Sequence, residues 1–130
     1  MPKSPDRRPT DAELAILRVL WERESASVRE VHDVLSQGRD FAYTTTLKLL
    51  QIMTDKGLVV REEIGRQHLY RAASGREETQ RTLVRDLVDR AFGGSMANLV
   101  LHALASERAT PDELRKIRRL IASRKERGDD

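Results

Sequence analysis

Cysteine is absent from the 130 residues, and aromatic side chains make up only 4% of them. Without thiols the chain has no disulfide, no thiolate nucleophile and no cysteine-based metal or redox sensor. With so few aromatics, any substantial core must be aliphatic. Long hydrophobic runs are missing too. No segment approaches the roughly 20 apolar residues that span a bilayer, and the start MPKSPDRRPTD lacks the apolar run of a signal peptide. A cytoplasmic protein is expected. A strong excess of one charge is also lacking: the formal net charge is +3, and basic and acidic residues nearly balance on either side of Gly75. Such a balance permits a nucleic-acid partner without requiring one. The signatures of an enzyme are absent as well, with no paired carboxylates in a plausible pocket, no nucleophile motif and no glycine-rich phosphate loop. His32 and His102 fall on separate predicted helices with no second ligand nearby in sequence. Neither is read as a metal ligand, and no cofactor is expected.

What is present is a 38% share of hydrophobic residues and a 35% share of charged ones, which suits one compact unit, or two small ones, with long solvated helical faces. The stretch PTDAELAILRVLWERESA begins with Thr10 as N-cap and Glu13 three residues later, the reciprocal capping box. Leu14, Leu17 and Trp21 then recur at helical spacing, widened by Ile16 and Leu20. A second helix follows in SVREVHDVLSQG, with Ser27 as N-cap, Val28, Val31 and Leu35 on one face, and Gly38 as its stop. A third helix, in FAYTTTLKLLQIMTDKG, should end at Gly57. Beyond it, LVVREEIGRQHLYRA changes period and reads as two short strands around a glycine turn. Three short helices and a two-stranded ribbon make a winged helix-turn-helix.

Three adjacent threonines at the mouth of the third helix need a reason, because β-branched side chains lose rotamer freedom in a helix. At about 100° per residue, Tyr43, Thr46, Leu47, Leu50 and Met53 share one arc, expected to be buried. Thr44, Thr45, Lys48, Gln51 and Asp55 share the opposite one. The second helix of a helix-turn-helix presents its N-terminal part to base edges. There, Thr44 and Thr45 can cap free amides, bond a phosphate or base edge, and offer a methyl to thymine. Capping alone would also account for threonines at a helix start. The ribbon, carrying Arg61, Arg66, Gln67 and His68, supplies a phosphate-touching arm, and Arg39 and Lys56 complete the expected basic set. A solvated wing residue is the plainer reading of His68 taken alone.

The order TDAELAILRVLW, SVREVHDVLSQ, AYTTTLKLLQIMTDKGLV and GRQHLYRA, followed by NLVLHALASERATPDELRKIRRLI, resembles the BlaI/MecI penicillinase-repressor family from about Thr10 to Lys125. The resemblance implies a dimeric transcriptional repressor with an N-terminal winged helix and a C-terminal helical dimerisation region. It also implies operators built from inverted TACA and TGTA elements. The family's YTT start of the reading helix falls on Tyr43, Thr44 and Thr45, its KGLV on Lys56, Gly57, Leu58 and Val59, and its GR wing tip on Gly65 and Arg66. Ile52 stands where the family often has Arg, and can meet a thymine methyl or alter operator preference. Copper sensing through C-terminal cysteines, a mode of some members, has no residues here. In the antibiotic-responsive members a protease partner cuts an Asn-Phe bond; this chain has His102 and Ala103 at the matching place.

The C-terminal part reads as three helices over residues 76–125. Leu83, Leu87 and Ala91 mark the first, Leu99, Ala103 and Leu104 the second, and Leu114, Ile117 and Ile121 the third, which Thr110, Pro111 and Glu113 cap. So small a unit buries only about 60% of its unfolded surface alone, and pairing with a second copy would cover the remaining stripes. The alternative, that these helices fold back on their own winged helix, also fits short connections. The expected plan is a mainly α chain with a small β-ribbon. It has a flexible start at 1–9, a winged helix-turn-helix at 10–75, a helical dimerisation domain at 76–125 and a tail at 126–130. A homodimeric repressor of double-stranded DNA is the leading reading. A winged-helix protein-interaction module is the other, since fold does not fix function.

Overall fold

The computed structural model describes residues 8–106 and 108–126, and the expected flexible start and tail lie mostly outside them. Helix α1 (Asp11–Arg23) opens with the capping box: the Glu13 amide donates to Thr10 Oγ1 at 3.2 Å, and the Thr10 amide to Glu13 Oε1 at 2.9 Å. After it come strand β1 (Ala26–Ser27) and helix α2 (Val28–Leu35), whose start repeats the device between Ser27 and Glu30. Helix α2 ends at Ser36, before the expected stop at Gly38. Gly38 instead takes a positive φ in the turn that follows.

Helix α3 (Tyr43–Lys56) ends on Gly57 at φ 80°, a left-handed conformation that costs glycine nothing and other residues about 1 kcal/mol or more. Strands β2 (Val59–Ile64) and β3 (Gln67–Ala72) form the antiparallel ribbon, in register from Val59 opposite Ala72 to Ile64 opposite Gln67. The two-residue link is Gly65–Arg66. Gly65 is at φ 64°, the positive-φ first position of a II′ hairpin turn.

The ribbon has a third strand that the sequence does not announce. β1 pairs with β3, Ala26 opposite Tyr70 and Ser27 opposite Leu69, giving the order β1-β3-β2. Two residues are too few for alternation to be visible, and Ser27 serves as both strand end and helix cap.

Helices and sheet enclose a core of Ile16, Leu17, Val19 and Leu20 from α1, Val31 from α2, Leu50 and Met53 from α3, and Ala26, Val59 and Tyr70 from the strands. It is aliphatic except for Tyr70. Each such side chain, fully buried, contributes about 1.5–3 kcal/mol of transfer free energy. Trp21 packs at the margin and donates its indole N–H to the Ser74 carbonyl at 2.9 Å.

Three further helices follow: α4 (Arg76–Ala91), α5 (Met96–Ser106) and α6 (Pro111–Glu126). The capping box of Thr110 and Glu113 is present at the start of α6. The chain divides into two compact units, 1–84 and 85–130, so the division falls inside α4 and not at Gly75. The physical reason lies in the first turns of that helix. The Arg76 guanidinium lies 5.8 Å from the centre of the Trp21 ring, and Gln80 and Leu83 line one hollow with Leu14 and Arg18.

The second unit has little interior of its own. Among its described residues only Val88 is a buried hydrophobic, with Leu99, Leu114 and Ile117 half-buried. Leu87, Met96, Val100, Leu104 and Ile121 are exposed, and Leu101 and Leu120 keep 66% and 63% of their surface. Ala91 and Ala103 are exposed too. No helix of the described residues is long and apolar enough to cross a membrane.

Candidate nucleic-acid interface

Helix α3 presents two contrasting faces. Thr46, Leu50 and Met53 are fully buried and Leu47 half-buried, while Thr44, Thr45, Lys48, Gln51 and Ile52 are exposed. Tyr43 departs from the expected buried arc. It is exposed, and its ring meets His32 edge-on at 5.3 Å between centroids, with the Arg29 guanidinium 4.9 Å from its own centroid. A tyrosine at the first helical position has no preceding turn to lie against, so it rests on α2.

The N-cap of α3 is Ala42, with no side-chain cap. The threonines therefore do not serve as caps. Thr46 Oγ1 meets His32 Nδ1 at 3.1 Å, a polar contact that fixes the start of α3 on α2. Thr44 and Thr45 make no side-chain hydrogen bond among the described residues. Both residues are exposed. The Thr45 and Thr46 amides already donate to the Ala42 carbonyl, at 3.0 and 3.3 Å, so it is the two hydroxyls that suit a phosphate oxygen or a base edge. Thr44, Thr45, Lys48, Leu49 and Ile52 line one shallow depression on this face.

The expected basic residues divide into two groups. Arg39 in the turn before α3, Lys48 on it, and Arg61 and Arg66 on the ribbon are exposed and pair with no carboxylate among the described residues. Lys56 is different, and its expected place in the interface is corrected. Its ammonium lies 2.6 Å from Glu13 Oε1, with side chains 15% and 3% exposed, and it also donates to the Arg8 carbonyl at 3.1 Å. A buried carboxylate needs a cation, and Lys56 is that cation.

On the ribbon, His68 is half-buried and lies 3.2 Å from Glu63, and Gln67 is exposed beside the Gly65–Arg66 tip. None of Arg39, Gln51 or the ribbon residues lines the depression on α3. Sequence reasoning missed Leu49 in its lining, Arg29 and His32 as supports for the start of α3, and the double duty of Glu13. The capping box revealed one use of Glu13. The second needs a partner forty-three positions away, which no local pattern signals.

The chain matches the family model described as penicillinase repressor over residues 9–123. It is 38% identical to the transcriptional regulator BlaI of Mycobacterium tuberculosis over 114 residues, covering 86% of this chain and 81% of the relative. It is 22% identical to the penicillinase repressor of Bacillus licheniformis, across 91% and 92% of the two chains. With the methicillin resistance regulatory protein MecI of Mammaliicoccus sciuri the identity is 19%, across 86% and 91%. A winged helix with a helical C-terminal region and a match over nearly the whole chain lead to one assignment: the protein belongs to the penicillinase repressor family, which consists of transcriptional repressors and not of enzymes.

Proposed function

We propose that the protein is a homodimeric transcriptional repressor that binds an inverted-repeat operator in double-stranded DNA. The observation that carries this reading is the outer face of α3, where two unpartnered threonine hydroxyls and Lys48 stand together on a helix whose other face is locked into the core. Thr44, Thr45, Lys48, Gln51 and Ile52 meet base edges and their flanking phosphates, while Arg39, Arg61, Arg66, Gln67 and His68 hold the sugar-phosphate backbone. With a net charge of only +3, affinity rests on local placement and on engaging two half-sites at once.

Pairing is assigned to the second unit. Leu87, Leu104 and Ile121 leave apolar surface exposed there, and half-buried Leu99, Leu114 and Ile117 extend it. A second copy of the chain is the occupant that closed symmetry provides. Leu83, expected in this set, belongs to the first unit with Leu14 and Trp21 and is reassigned to packing. The setting of His102 and Ala103 disfavours induction by a cut between them. Both residues lie within α5, and nicking favours exposed loop tips over hydrogen-bonded helix.

The test is a titration of the full-length protein against a duplex with inverted TACA and TGTA elements and against random duplex, across a salt series, with light scattering for mass. A repressor of this kind prefers the first duplex, shows a negative salt slope on both and sizes as a dimer. A flat salt slope would instead favour a protein-interaction module.

A further inference from the structure

Ile52 is an exposed β-branched residue, 39% accessible, on the face that otherwise offers hydroxyls and an ammonium. Thr45, Lys48, Leu49 and Ile52 follow one another at i, i+3, i+4 and i+7, a single stripe along two helical turns. Thr44, Thr45, Lys48, Leu49 and Ile52 line one depression, in which Thr44 and Thr45 lie nearest the helix start and Leu49 and Ile52 follow one and two turns further along α3. The core gains nothing from Ile52, since it is not among the side chains packed on the hydrophobic cluster. In the major groove, thymine alone among the four bases displays a methyl group, and apolar side chains recognise it.

We infer that Ile52, supported by Leu49, is a specificity-determining residue that seats the C5-methyl of a thymine in the operator. This rests on the reading of α3 as the base-reading helix. Seven residues at about 1.5 Å each put Ile52 about 10 Å further along the helix than Thr45. A helix docked in the major groove follows the groove and not the duplex axis, and a separation of that size is enough for the two ends of the stripe to address different bases. The hydroxyl end accepts several partners, whereas the apolar end discriminates thymine from cytosine by contact with carbon alone.

The experiment isolates that methyl. Full-length wild-type protein is used to select duplexes from a randomised library, and each thymine of the preferred duplex is then replaced singly by deoxyuridine, which differs only by the methyl. Affinities are measured for wild type and for Ile52→Ala, with Thr45→Ala as a second variant and a thermal melt to check folding. The expected result is one thymine in each half-site whose replacement weakens wild-type binding about three- to fivefold, as burial of one methyl predicts. That replacement leaves Ile52→Ala unaffected and still weakens Thr45→Ala. A uracil scan that is flat in wild type, or equal penalties in wild type and Ile52→Ala, overturns the inference while leaving operator binding intact. Failure of the wild type to enrich any sequence would overturn the operator-binding reading beneath it.

Discussion

Lys48 and Lys56 are two turns apart on one helix and have opposite roles, because one faces water and the other faces Glu13. Replacing Lys48 by Ala, or Arg66 by Ala, should change stability by no more than about 0.5 kcal/mol, as for exposed positions generally. Both should weaken DNA binding; a melt and a titration on the same samples read the two quantities, and unchanged affinity in both variants would defeat the proposed docking face. Lys56→Ala should behave the other way. Removing one partner of a buried pair strands the other charge, at a cost of about 3 kcal/mol, and denaturant titration should show a lower midpoint with an unchanged slope. Thr45→Ala belongs with the first group. It should cost about 1–3 kcal/mol on the best operator and much less on random duplex if its hydroxyl or methyl reads a base. Equal losses on both duplexes would make it a phosphate contact.

At the scale of elements, what sequence announces is what chain neighbours decide. The helix starts at Thr10, Ser27 and Thr110 were legible, because each cap is a contact between residues three apart. At Ser27 the sequence suggested the cap alone, and the structure adds Glu30 as its reciprocal partner. The end of α3 at Gly57 and the turn at Gly65 were legible too, since both need a positive φ. What escaped was set by residues distant in the chain: β1, which exists only because β3 passes beside it, and the exposed setting of Tyr43 against His32 and Arg29. The periodicity of α3 correctly separated Thr46 from Thr44 and Thr45, but it gave no hint that Thr46 would find a histidine. Ser27 ends a strand and caps a helix at once. The strand pairing is backbone and survives Ser27→Ala, but the cap hydroxyl is lost at a buried position, 7% exposed. The change should therefore cost about 1–2 kcal/mol, the upper part of the range for a lost N-cap, and the deficit should appear in urea unfolding without a change in slope.

At the scale of the molecule, the sequence placed the join between the two parts at Gly75, where a loop with serine and glycine invites a boundary. The structure puts it after Val84, since Trp21 reaches Ser74 and the start of α4 packs beside α1. A truncation meant to isolate the reading unit should therefore keep residues 1–84. We expect that fragment to fold and to size as a monomer by light scattering. Its affinity for a two-half-site duplex should be lower by about 10²–10⁴, the effective-concentration gain of a linked second site. A version ending at Gly75 should melt earlier, because it uncovers Leu14 and Trp21. If the 1–84 fragment bound as tightly as the whole chain, dimerisation would not be the role of the remaining helices.

The oxygen shared by Thr10 and Lys56 also limits how this sequence can drift over generations. In many proteins a buried ion pair can give way to a hydrophobic pair of similar volume without loss. That route is closed here, because the same Glu13 oxygen must still accept from the Thr10 amide. An apolar residue at 13 would keep its own amide on Thr10 Oγ1 but leave the Thr10 amide without its side-chain acceptor. Glutamine keeps the cap and carries no charge, so a lineage that loses the lysine at 56 should pass through, or arrive with, glutamine at 13. Across descendants the two positions should change together, and threonine or serine should stay at 10 throughout.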